Sequence, residues 1–186
     1  MVAIIIIERL TGAGPTRTDI TSINTRVNAD DIHSTASITN PIEIPAAGTN
    51  YSFWCTTQLN ATVSPDNLID NLEWFTDGVN SYGTGIGQKV AQAALASYTV
   101  APGTVGVTGT VLTDANYTGG TLTPAAPVDS FTYVTGSPLA ITGSLTNPTT
   151  GAFGNMAIYQ VDVDNTATPG TKPASPETIT WRYDET

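Results

Sequence analysis

At 186 residues, 40% of them apolar and only 12% charged, the chain is long enough to bury a core of its own and lacks the low-hydrophobicity, high-charge composition of a disordered tail. A formal charge of −10, with six basic residues against sixteen acidic ones, repels a phosphate backbone and argues against nucleic acid as a direct partner. The Thr, Val, Ile, Tyr and Trp content favours strands, and 17 Gly and 12 Pro fall mostly as turn punctuation between apolar runs, so the composition predicts an all-β fold.

The first apolar run, Val2 to Ile7, stops at Glu8 and Arg9 and has no basic segment ahead of it. It is too short for a signal-peptide core or a membrane span, and the expectation is a cytosolically made, unprocessed protein with no membrane partner. Residues 1–41 carry short apolar tracts with no sustained period and read as an extended N-terminal arm. Ile4, Ile5, Ile6 and Ile7 form an uncharged tract of high β-propensity, hazardous if left open, so it must pair in the sheet or with another subunit. With Ile20 and Ile23 these are the candidate partner-binding residues.

Residues 42–186 read as the body. Pro41 and Pro45 bracket Ile42-Glu43-Ile44, and Tyr51 to Gln58 reads as a strand. Ser64 and Pro65 can start a short helical turn, and Leu72 to Thr76 leads to an Asp77-Gly78 turn. Gly83 to Tyr98 is the one longer helix expected, on the propensity of Gln88 to Ala96. Further strand signals follow at Val105 to Leu112, Phe131 to Val134, Leu139 to Leu145, Ala157 to Asp164 and Thr178 to Asp184. In the last two, Tyr159, Val161 and Val163 alternate with Gln160, Asp162 and Asp164, and Ile179, Trp181 and Tyr183 with Thr180, Arg182 and Asp184, giving each one apolar and one wet face. Asn165 to Pro176 reads as a long hairpin connection between them. Runs at this spacing predict an antiparallel β-sandwich or jelly roll with at most one or two short helices.

Residues able to do chemistry are few. His33 is the single histidine, and Asp30-Asp31-Ile32-His33-Ser34 imitates a triad by composition only, since neighbours in an extended segment point apart. Gly83-Thr84-Gly85-Ile86-Gly87-Gln88-Lys89 lacks the Gly-Lys-Ser/Thr order of a phosphate loop. Asp162 and Asp164, with Asp184 and Glu185 if the last strands pair, offer oxygen ligands for Ca²⁺ but no recognised spacing. Lone Cys55 permits no intrachain disulfide and reads as core filling. Trp54, Trp74 and Trp181 read as core, with sugar stacking as the alternative. No enzyme activity, metal or cofactor is expected.

The stretch Asn40-Pro41-Ile42-Glu43-Ile44-Pro45-Ala46-Ala47-Gly48-Thr49-Asn50-Tyr51-Ser52-Phe53-Trp54 and the ending Glu177-Thr178-Ile179-Thr180-Trp181-Arg182-Tyr183-Asp184-Glu185 resemble virion structural proteins of tailed bacteriophages. Within that group the chain most resembles the small acidic β proteins that decorate or cement the capsid shell. The resemblance implies a place on the virion exterior, the major capsid protein and copies of itself as partners, and a homotrimer. Tail, neck and fibre proteins share this style, and a carbohydrate-binding module is the alternative from another class.

Overall fold

The computed structural model describes residues 2–35, 39–170 and 176–186. Its strands are β1 (Ile4–Thr11), β2 (Thr16–Asp19), β3 (Thr49–Tyr51), β4 (Cys55–Val63), β5 (Leu68–Thr76), β6 (Ile86–Ala93), β7 (Gly103–Thr104), β8 (Thr108–Gly109), β9 (Thr123–Asp129), β10 (Leu139–Ile141), β11 (Leu145–Thr146), β12 (Gly151–Asp164) and β13 (Ile179–Glu185). The larger sheet runs β2-β1-β4-β12-β6-β9, with β3 on the end of β12. The smaller has β5 at its centre, β13 along one edge, and β10 and β11 in succession along the other. Pairing in both is antiparallel, and β7 with β8 forms a separate short ribbon.

The fold is the all-β sandwich that the strand spacing predicts. Between the sheets lie Cys55 and Leu59 of β4, Ile69, Leu72 and Trp74 of β5, and Phe153 and Tyr159 of β12. Alternation along a strand puts every second residue on one face. In β5 it slips by one, because Asn71 takes a left-handed backbone (φ 50°) opposite a register shift in β13. Ile69 and Leu72, three apart, therefore both reach the core. Asn71 suits the position, since its short amide tolerates that conformation and donates to Asp184 Oδ2 at 2.7 Å.

A second core lies on the other face of the larger sheet. Trp54, Ala91, Met156 and Ile158 pack there beneath Leu112, Tyr117 and Leu122 from the long connection between β6 and β9. Thus β12 is buried on both faces. The wet face expected for Gln160 is corrected: its side chain is buried, accepts from the Leu112 amide and donates to the carbonyls of Ser52 and Thr110. A buried amide is tolerated when its polar atoms are paired.

Several local expectations change. The helix over Gly83 to Tyr98 is β6 followed by a single 3-10 turn, Leu95–Ser97. Here tertiary pairing overrides helix propensity, because β6 lies between β12 and β9 and its small Ala91 and Ala93 fit the crowded second core. The helical turn at Ser64 and Pro65 is a non-helical link from β4 in one sheet to β5 in the other. Phe131 to Val134 contributes a 3-10 turn, Ser130–Thr132, and one isolated bridge, while β9, which the sequence reading missed, runs just before it. The last two long strands do not form a hairpin, since β12 belongs to the larger sheet and β13 to the smaller.

The N-terminal segment expected as an arm supplies β1, paired along Ile4 to Leu10 with β4 of the same chain and along Glu8 to Thr11 with β2. The isoleucine tract thus has its backbone partners within the sandwich. Buried Arg9 projects from β1 and donates through Nη1 to Thr25 Oγ1 and to the carbonyl of Arg26, tying the following coil to the sheet.

Candidate binding groove

The smaller sheet covers only part of the inner face of the larger one. Beyond the β13 edge, the uncovered part is walled by coil 20–28 on one side and by 41–44 and 167–170 on others. The resulting groove has a volume of about 1160 Å³, somewhat larger than the usual small-molecule site. Its apolar surface includes Ile7, Ile20, Val27, Val161, Val163 and Ile179. Among the described residues β13 pairs only with β5, so its outer edge, beside the groove, has no strand partner.

Three polar atoms at this lining are buried without a hydrogen-bond partner: Gln88 Nε2, Glu177 Oε2 and Trp181 Nε1. Their positions follow from strand alternation. Ile86, Gln88 and Val90 lie opposite Val163, Val161 and Tyr159 of β12, which puts Gln88 on the inner face. Its Oε1 accepts from Tyr82 Oη at 2.8 Å, and the residue as a whole is 2% exposed. Glu177 uses its other oxygen, Oε1, to accept from the Ser81 amide at 2.7 Å. Burial raises the Glu177 carboxyl above its ordinary pKa, against the lowering pull of that bond, and burial together with Glu177 raises the Tyr82 phenol. Residues of the groove lining therefore carry two unused donors and one unused acceptor, buried in an apolar setting where such groups are costly.

The candidate partner residues divide in two. Ile7, Ile20 and Ile23 line the groove, with Ile23 at its exposed rim. Ile4 is exposed, and Ile5 and Ile6 are half-buried elsewhere on β1. Trp54 and Trp74 are core residues, the former donating to the Thr110 carbonyl, whereas Trp181 is half-buried at the groove. Tyr82, Gln88 and Glu177 were not singled out by sequence reasoning as site residues. The alternation Ile86, Gln88, Val90, Gln92 was the available signal, obscured by the helix expected there.

The other candidates do not converge. His33 Nδ1 lies 3.1 Å from Thr25 Oγ1, and burial and Arg9 lower its pKa. Asp31 accepts from the Gly12 amide and Asp30 from Asn40 Nδ2, so both acids act as local ties in the coil. Gly83 and Gly85 make a turn into a strand, so no helix N-terminus faces a phosphate there. Asp184 and Glu185 sit on a different sheet from Asp162 and Asp164, and no cluster of three metal-ligating residues occurs among the described residues. Cys55 is fully buried, and burial raises its thiol pKa. The described residues include no helix long and apolar enough to cross a membrane. Comparison with protein-family models, curated proteins and solved structures finds no match for this chain.

Proposed function

We propose that this chain is a non-enzymatic virion structural protein that decorates or cements a capsid shell by binding between major capsid protein subunits. The observation that supports a binding role is the groove beside the edge of β13 that has no strand partner among the described residues, where an apolar surface is joined by three buried polar atoms without partners. The choice of a capsid partner rests on the resemblance of residues 40–54 and 177–185 to phage structural proteins. In this reading each bound copy adds binding free energy to the assembled shell, and repetition over the lattice multiplies it. The test is cosedimentation of purified protein with undecorated shells, followed by shell melting. Saturable binding with a raised melting temperature is expected, and absence of both would overturn the proposal. Copy number per particle discriminates between the locations, since hundreds of copies indicate the shell and a handful a vertex, neck or tail.

A second reading is favoured by one observation, the half-buried Trp181 in a groove that also holds Tyr82, Gln88 and Glu177. Aromatic faces with amide and carboxylate groups suit a glycan. Glycan-array binding lost in Trp181→Ala would favour this reading over the first.

A further inference from the structure

We propose that the groove is a strand acceptor: an extended segment of a partner protein, apolar at alternate positions and carrying lysine or arginine, adds to the outer edge of β13. The inference rests on the reading of this chain as a protein-binding structural component and names how that binding is made.

The first support is backbone chemistry. An edge strand presents a row of unpaired N–H and C=O groups, and an added strand satisfies them while its side chains alternate between the groove and solvent. Among the described residues no strand pairs with the outer edge of β13, and the groove opens beside that edge over the inner face of the larger sheet. Seven residues of β13 span about 23 Å at the usual strand rise, so the edge is long enough for an added strand.

The second support is the unused set of polar atoms. Gln88 Nε2 and Trp181 Nε1 need acceptors, and Glu177 Oε2 needs a donor. As these atoms are buried in the free chain, a docked peptide reaches them when the lining side chains turn toward it, supplying carbonyl oxygens for the first two and an N–H or a side-chain cation for the third. The third support is charge. The chain carries −10, and among the described residues the groove is lined by Glu43 and Glu177 against a single arginine, Arg26, so a basic segment is attracted while a second copy of this acidic chain is repelled.

The test pans a displayed library of nine-residue peptides on the full chain, then synthesises the enriched peptide and measures binding and amide hydrogen exchange. Enrichment of alternating apolar residues with Lys or Arg, and new protection at residues 178–182, are the expected results. Glu177→Gln should weaken the peptide about tenfold. Ile23→Lys, at an exposed rim position that folding tolerates, should weaken it by several-fold through repulsion. Absence of enrichment, acidic or non-alternating consensus peptides, or binding with no added protection at 178–182 would each overturn the proposal. So would protection of that edge by self-association in the isolated protein, which would make a second copy the occupant, or by oligosaccharide binding. Competition separates this inference from the capsid reading. Shell binding undisturbed by saturating peptide sinks the groove alone, and peptide binding without shell binding sinks the capsid reading alone.

Discussion

The hydroxyl of Tyr82 donates to Gln88 Oε1 at 2.8 Å within the sandwich, and this bond fixes the Gln88 amide with Nε2 left unpaired. Among the described residues, each side chain is the hydrogen-bond partner that compensates the other's buried polar group. Tyr82→Phe removes the donor and leaves both ends of the Gln88 amide without partners, so a loss of about 1–3 kcal/mol is expected. The double variant Tyr82→Phe/Gln88→Leu removes the whole polar set and should recover most of that loss. Urea denaturation of the two single variants and the double measures the coupling. Additive losses would show that the bond is not what holds these side chains together.

Arg9 is 1% exposed on β1, and its guanidinium anchors Thr25 and the Arg26 carbonyl, both part of the groove wall. Its charge also stabilises the ionised Asp31, whose carboxyl burial otherwise raises. Arg9→Met leaves the Arg26 carbonyl without this donor and the half-buried Asp31 carboxylate with the Gly12 amide but without the Arg9 charge, and about 2–4 kcal/mol of stability should be lost. Arg9→Lys keeps the charge without the planar fork and should recover only part of it. Chemical denaturation reads the loss, and hydrogen exchange over residues 20–28 reads the loosening of the wall. Protection there that survives Arg9→Met would refute the anchoring role.

The fold class was legible because strand alternation and turn residues repeat along most of the chain, and Ile179, Trp181 and Tyr183 do face the core as their spacing implies. What misled was context. Gln88 to Ala93 has the composition of a helix, yet pairing on both edges makes it a strand. Gln160 has the spacing of a solvent-facing residue, yet the connection from β6 to β9 folds over it. The groove was half legible. Ile7, Ile20 and Ile23 stood out as apolar residues in need of cover, but the polar atoms that give the groove its character come from β6 and from residues 177–181, distant in sequence. Only the division of β12 and β13 between two sheets brings them to one cavity.

Gly85 and Gly12 have the same φ of +73° and different surroundings. A Cβ on Gly85 would meet Ala167 N at 2.5 Å and Asp164 Oδ1 at 2.6 Å, whereas one on Gly12 would meet nothing within 4 Å. Gly12→Ala therefore carries only the left-handed backbone penalty, about 1–2 kcal/mol. Gly85→Ala adds a steric clash in the turn that leads into β6, and a loss larger by about 1–3 kcal/mol is expected. Thermal denaturation of both variants compares them directly. Equal losses would mean that the contacts around Gly85 give way easily and that the turn is held elsewhere.

Asp162, on β12 opposite Gly87, has its carboxyl pKa raised, first by burial, then by Asp129 and Asp164, with Lys89 pulling the other way. The folded state therefore holds this proton at pH values where the unfolded chain, with an ordinary carboxyl near 3.8, has released it. Stability falls as pH rises through the interval between those two values and stays lower above it. Asp19 and Asp164 act with the opposite sign. Their hydroxyl and amide partners on Thr21 and Thr166 lower the carboxyl pKa, so their contribution is lost as pH falls. Asp162→Asn removes only the first effect. The variant should be more stable than the parent at pH 7 and show a shallower decline as pH rises above the ordinary carboxyl range, while keeping the parent's loss at lower pH. Lys89→Met removes the lowering influence, so the Asp162 carboxyl should titrate at higher pH when followed by NMR. A midpoint unmoved in Lys89→Met would show that Lys89 has no hold on this carboxyl, and an Asp162→Asn variant less stable at neutral pH would show that the attraction of Lys89 outweighs burial at this position.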